Sequence, residues 1–266
     1  MGPGPYFREA GAGEGVVCLH SNASTSVQWR ALTERLAPRF RVFAPDSLGA
    51  GRSPAWPADR PVGLGDEVAL LEPVFALAGS PLSLVGHSYG AAVALLAALA
   101  HPQAVRALAL YEPTLFSLLD QQAPGQNAAS GIRQVVDDAA AAIDAARPAA
   151  AAQRFIDYWM GDGSWDAMLQ SRQAVVAASM SNVKGWGHAL FGDRTPLEAF
   201  RALDVPVLYM VGARSPPPSR GVARLLTAVL PTVTVVEFAE LGHMGPVTHP
   251  DQVNRTIADF LEGTRN

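Results

Sequence analysis

The chain has 266 residues, of which 49% are hydrophobic and 17% charged. That composition is enough to bury a full core, and it excludes a disordered polypeptide. Lys and Arg number 20 against 24 Asp and Glu, a net charge of -4, and no Lys/Arg run occurs, so nucleic acid is not expected as a partner. One cysteine, Cys18, excludes an internal disulfide framework and a Cys-rich zinc site. The opening residues MGPGPYFREAGAGEG lack the apolar stretch of a secretory signal. The longest apolar run, AAVALLAALA, is about half of the ~20 residues that span a bilayer. The expectation is a soluble, cytoplasmic, single-chain protein.

Short apolar runs rich in β-formers alternate with helical patterns along the chain. Residues 16–19 (VVCL) read as a buried strand, 29–36 as a helix, 40–44 (FRVFA) as a strand and 65–78 as an amphipathic helix. Residues 82–85 (LSLV) read as a strand, 91–100 as an apolar helix and 105–111 (VRALALY) as a strand. The alternation resumes with a strand at 205–211, a helix near 221–230, a strand at 233–238 and a helix at 251–261. Strands apolar on both faces and separated by helices predict an α/β fold with a mostly parallel, doubly wound sheet. From about residue 113 to 203 no strand is predicted. An Ala-rich helical segment at 135–152 runs on into FIDYWMGDGSW, and Trp159, Trp165 and Trp186 lie in this stretch. It is expected to be a helical cap, residues 114–202, inserted into a core of residues 1–113 and 203–266.

The strongest motif is Gly86-His87-Ser88-Tyr89-Gly90, set between the strand at 82–85 and the helix at 91–100. A sharp strand-to-helix turn lifts a serine hydroxyl above the sheet, and the flanking glycines leave room for it. The new helix aims free N–H groups at the same point. With this motif in this context, the chain resembles the α/β-hydrolase family over nearly its whole length. The resemblance implies an α/β-hydrolase fold with Ser88 as nucleophile. It also implies that His243, in Leu241-Gly242-His243-Met244 after the last predicted strand, is the base. His87 adjoins the nucleophile and is expected to point elsewhere; His101 and His249 precede prolines and read as helix boundaries.

The acid departs from the family's common pattern. An Asp is usual after the penultimate strand, and here that segment reads Gly212-Ala213-Arg214-Ser215-Pro216. Glu112 instead ends the strand that follows the nucleophile's helix. A subset of the family, including some haloalkane dehalogenases, takes its acid from this strand end. Glu112 is therefore the expected acid, with Glu240 as an alternative, and replacing Ser215 with Ala is expected to change little. Asp46 resembles a structural turn residue.

The family's H-G-x motif is similar to His20-Ser21-Asn22, with Ser21 in the place of glycine, a serine strained if that turn requires φ > 0. By that likeness the N–H groups of Asn22 and Tyr89 would form the oxyanion hole. Trp159, Trp186, Phe116 and Met160 are expected to line an apolar substrate site. The reading is a serine hydrolase with no cofactor and no metal, acting on an ester, thioester, lactone or activated C–C bond. Its alternatives are a weakly catalytic or non-catalytic binding protein and a cofactor-free perhydrolase. Only 19 residues precede His20; YFREAG is expected as an edge strand, through which a homodimer could form.

Overall fold

The computed structural model describes residues 4–57 and 59–265. Its strands are β1 (Phe7–Ala10), β2 (Glu14–Leu19), β3 (Phe40–Pro45), β4 (Leu82–His87), β5 (Val105–Tyr111), β6 (Val207–Gly212) and β7 (Val233–Phe238). They form one sheet in the order β1-β3-β2-β4-β5-β6-β7. β1 runs antiparallel to β3 at one edge, and the other neighbouring pairs are parallel. This is the mostly parallel α/β sheet that the alternation of patterns predicts, in the α/β-hydrolase form that the resemblance implies.

Successive side chains of a strand point to opposite faces, so each central strand feeds two cores. Val16, Cys18, Ala109, Tyr111, Leu208 and Met210 face α1 (Arg30–Leu36) and α11 (Pro250–Gly263), which supply Leu32, Leu36, Val253 and Ile257. Val17, Leu19, Leu84, Leu108, Leu110 and Tyr209 face the other way. There they meet α2 (Leu64–Ala78), α3 (Tyr89–Ala100) and α9 (Pro217–Val229). A sheet covered on both faces can afford nothing polar along its middle, which is why β4, β5 and β6 are nearly all apolar. α3 is apolar on every side and correspondingly buried on nearly every side.

Between β5 and β6 run α4 (Ser117–Gln122), α5 (Ser130–Asp144), α6 (Pro148–Met160), α7 (Gln170–Ser179) and α8 (Val183–Gly192). The Ala-rich stretch expected as one segment over 135–152 is two helices. Ala146 adopts a left-handed conformation (φ 55°), and Pro148, which cannot donate within a helix, opens α6 at its first position. Ile132, Val135, Ala139 and Ala142 of α5 share one face, as do Ala152, Phe155, Ile156 and Trp159 of α6, and these faces pack together. No helix among the described residues is long and apolar enough to cross a membrane. α10 (Gly245–Thr248) is a single turn after the loop that carries His243.

β2 and α3 approach so closely at Gly90 that a Cβ there would collide with the carbonyl groups of Leu19 and His20. Gly90→Ala is expected to cost about 1–3 kcal/mol through this overpacking. Urea denaturation should show a lower midpoint at an unchanged slope.

Candidate active site

β4 ends at His87 and α3 begins at Tyr89, leaving Ser88 alone at the turn with φ 56° and ψ -115°. A non-glycine residue holds such a backbone only where its surroundings enforce it. They do so here. The Ser88 N–H donates to the Tyr111 carbonyl at 2.9 Å, and the Ser88 carbonyl accepts from Ala91 and Ala92. A Cβ at Gly86 would strike the Ala91 backbone. In the sheet register His87 pairs with Tyr111. The next residue on each strand is therefore Ser88 on one side and Glu112 on the other. Glu112 is also left-handed, at φ 46°.

His243 reaches both. Its Nε2 lies 2.9 Å from Ser88 Oγ, and its Nδ1 lies 2.7 Å from Glu112 Oε2. All three side chains are buried. The second carboxylate oxygen, Oε1, accepts from the Gly212 N–H at 2.7 Å and from the Ser215 hydroxyl at 2.5 Å. A buried carboxylate is tolerated only when donors surround it, and these groups supply them. This corrects the expectation for Ser215: it is one of the donors to Glu112, not a silent replacement for aspartate. The Ser219 hydroxyl stands 3.2 Å from His243 Nδ1. Glu240, the alternative acid, is exposed and ion-paired with Arg214.

The loops around this line are tied to one another. The Ser21 N–H and hydroxyl both donate to Gln28 Oε1, at 3.1 and 2.9 Å. Gln28 Nε2 donates to His87 Nδ1 at 3.1 Å, and His87 Nε2 donates to the His243 carbonyl at 2.8 Å. Burial pushes His87 well below its ordinary range, which keeps it the neutral tautomer these bonds require. His20 is pushed down by burial as well; its Nδ1 donates to the Ser21 carbonyl, and its Nε2 accepts from the Ser47 N–H. Tyr111 holds the His243 loop from below, donating to the Gly242 carbonyl at 2.8 Å. Among the described residues, the N–H groups of Asn22 and Tyr89 have no acceptor within the protein. The left-handed residue of the 20–24 turn is Ala23 (φ 54°), so Ser21 does not carry the strain expected of it.

Residues 16–256 match the family described as the alpha/beta hydrolase family. The chain belongs to that family. It is 26% identical over 261 residues to the pimeloyl-[acyl-carrier protein] methyl ester esterase of Chromobacterium violaceum, covering 97% of this chain and 98% of that one. It is also 26% identical over 275 residues to the 2-hydroxy-6-oxo-6-phenylhexa-2,4-dienoate hydrolase of Burkholderia cepacia, covering 96% and 90%. Among solved structures, an alpha/beta hydrolase from Sphaerobacter thermophilus superposes with a TM-score of 0.74 at 26% identity, over 96% and 95% of the two chains.

The hydrolase encloses a chamber of about 20 Å³ beside Ser88, walled by Phe116, Ile132, Phe155, Trp159, Trp186 and Phe191. Trp159 stacks on the His243 ring at 4.0 Å between centroids. Met160 is corrected: it is 37% exposed and does not line the chamber. One residue on from Trp159 along a helix is about 100° round it, so the two cannot face the same way. The polar side chains on the chamber wall beside Ser88 are Asn22 and Thr114, and the Thr114 hydroxyl is buried with no hydrogen-bond partner among the described residues. Gln28, His87, Ser219 and Thr114 were not legible as site residues in the sequence. Only His87 carries a signal, its adjacency to Ser88.

The Tyr89 side chain runs away from the chamber to α2, where its hydroxyl donates to Glu67 Oε1 at 2.9 Å. The other Glu67 oxygen accepts from the Leu48 N–H at 3.1 Å. Asp46, in the same loop, accepts from the N–H groups of Ser26 and Arg52.

Ser215→Ala removes one donor to Glu112 and should slow phosphonylation of Ser88 by a fluorophosphonate about tenfold, the equivalent of one hydrogen bond. Burial pushes the Glu67 carboxyl up from 4.5 to about 7. The native acid then keeps a proton that the unfolded chain has lost, so stability falls as pH rises from about 4.5 to about 7 and is level above. Glu67→Gln should remove that slope in midpoints of unfolding measured across the interval.

Proposed function

We propose that this hydrolase cleaves carboxylic esters through an acyl-enzyme on Ser88. What carries the reading is the unbroken line from Glu112 through His243 to Ser88, at 2.7 and 2.9 Å. In the proposed reaction the Ser88 oxygen adds to the ester carbonyl as its proton passes to His243 Nε2. The oxyanion so formed is held by the N–H groups of Asn22 and Tyr89. Collapse breaks the ester C–O bond, and the departing alkoxide takes the proton from His243. Water then adds to the acyl carbonyl, His243 accepts its proton, and the acid leaves as Ser88 regains a hydrogen. Glu112 keeps the proton of the neutral ring on Nδ1 and balances the imidazolium.

The helices between β5 and β6, residues 114–202, act as a cap that keeps water from this chemistry. The ester reading is favoured by the relative named as a methyl ester esterase, which matches along 97% of this chain. It also suits the chamber, whose 20 Å³ exceeds what one water needs by little and fits a group of about methyl size. A pure binding protein would have no use for a serine held in a strained turn against an imidazole.

A fluorophosphonate probe should label the wild type and leave Ser88→Ala unlabelled. Glu112→Gln should lower kcat on p-nitrophenyl acetate by about 10⁴-fold while the protein stays folded, because the ring tautomer is no longer fixed. Labelling that persists in Ser88→Ala, or near-normal turnover in a folded Glu112→Gln, overturns the reading.

A further inference from the structure

A second cavity of about 750 Å³ opens between the 20–31 and 47–51 segments of the core and α7 above them. Asn22 and Trp186 line both this cleft and the small chamber beside Ser88. If the carbonyl sits against the Asn22 N–H, as the ester reading above has it, the scissile bond lies at the neck between the two spaces. One side of the ester then has room only for a small group. The other must run out into the cleft, whose volume is that of a ligand site.

The walls of the cleft say what that longer half is. The core wall presents Val27 and Arg30, and the cap wall presents Arg172 and Val175. Each pair is three residues apart, the spacing that puts two side chains on one face of a helix. Val27 is 49% and Val175 62% exposed, so both offer apolar surface to an occupant of the cleft. Arg30 and Arg172 make no ion pair among the described residues. No Asp or Glu lines the cleft, although acids outnumber bases in the chain. Two walls that each offer an aliphatic side chain and a guanidinium, with no carboxylate between them, match a hydrocarbon chain that carries an anion.

We propose that the substrate is an elongated ester with a small group on one side of the scissile bond and, on the other, an aliphatic chain whose far end is a carboxylate or phosphate held between Arg30 and Arg172. This rests on the ester-hydrolase reading and names its substrate class. Arg is the residue suited to both anions, since its planar fork can take two oxygens at once.

The test compares methyl esters of linear acids with methyl half-esters of dicarboxylic acids of matched length, and with methyl esters ending in a phosphate. The wild type should favour an anion-ended ester by roughly tenfold or more in kcat/KM. Whichever of the two anions is preferred identifies the head group. Arg30→Ala and Arg172→Ala should each remove much of that preference through KM, with p-nitrophenyl acetate turned over as before. The double variant Arg30→Glu, Arg172→Glu should instead favour a trimethylammonium-ended ester. Equal rates on neutral and anionic esters, or equal losses on both in the Arg variants, overturn the proposal. If the wild type fails on p-nitrophenyl acetate and all the methyl esters alike, it is the ester reading that falls. Calorimetric binding of decanoate and decyl phosphate then judges the cleft by itself: binding lost in the double variant supports it, and no binding to wild type, or equal binding to both, sinks it.

Discussion

The parallel pairing of β4 with β5, with His87 opposite Tyr111, fixes the rest of the site. It sets the two residues that follow, Ser88 and Glu112, side by side at the carboxyl ends of the strands, where open α/β sheets hold their ligands. Both are left-handed, and each costs on the order of 1–3 kcal/mol to hold so. The cost is met by the neighbouring backbone: Ser88 donates to Tyr111, Glu112 donates to Met210, and Thr114 donates back to Ser88. Once the two strand ends are locked, the imidazole needs only to span them. The Tyr111 hydroxyl and the His87 ring secure the loop that brings it there.

The position of the buried carboxylate is an exclusive choice. The Ser215 hydroxyl touches Glu112 Oε1 at 2.5 Å, so a carboxylate at 215 would stand against another carboxylate in a space closed to water. Two such groups cannot both ionise, and one would keep its proton at neutral pH. With Glu112 present, the end of β6 is left to supply donors, and it does so with the Gly212 N–H and the Ser215 hydroxyl. The absence of aspartate after the penultimate strand and the glutamate at the end of β5 are thus one feature seen from two sides.

That feature was readable in the sequence because both halves of it are local. Glu112 directly ends an apolar run, and Ser215 follows another at a fixed distance. The class of the sheet is readable for the same reason, since runs apolar on both faces announce a covered parallel sheet. What escaped was non-local. Gln28 and His87 are 59 residues apart and meet only because β2 and β4 are neighbours, so no pattern near either announces the bond. Ser219 sits on the first turn of α9, where a serine has many uses. The strain expected at Ser21 falls on Ala23, while Ser21 is held from the side by Gln28. Composition alone groups Met160 with Trp159 and Trp186, but helical geometry separates neighbours and joins residues three or four apart.

The helices between β5 and β6 contribute more than a wall. The Trp159 indole lies on the His243 ring at 4.0 Å with 29° between the planes. Against a neutral imidazole that contact is packing. Against an imidazolium it adds the attraction between a cation and the negative face of an aromatic ring. In the proposed reaction His243 is charged only after it has taken the serine proton. The added attraction is therefore absent from the resting enzyme and present when charge has developed, which is the kind of interaction that lowers a barrier and does not merely tighten binding. Trp159 is itself held by Phe116, Phe155 and Tyr158, so its position depends on the packing of the whole helical segment. A displacement of α6 would then change the chemistry at Ser88 without touching Ser88, His243 or Glu112.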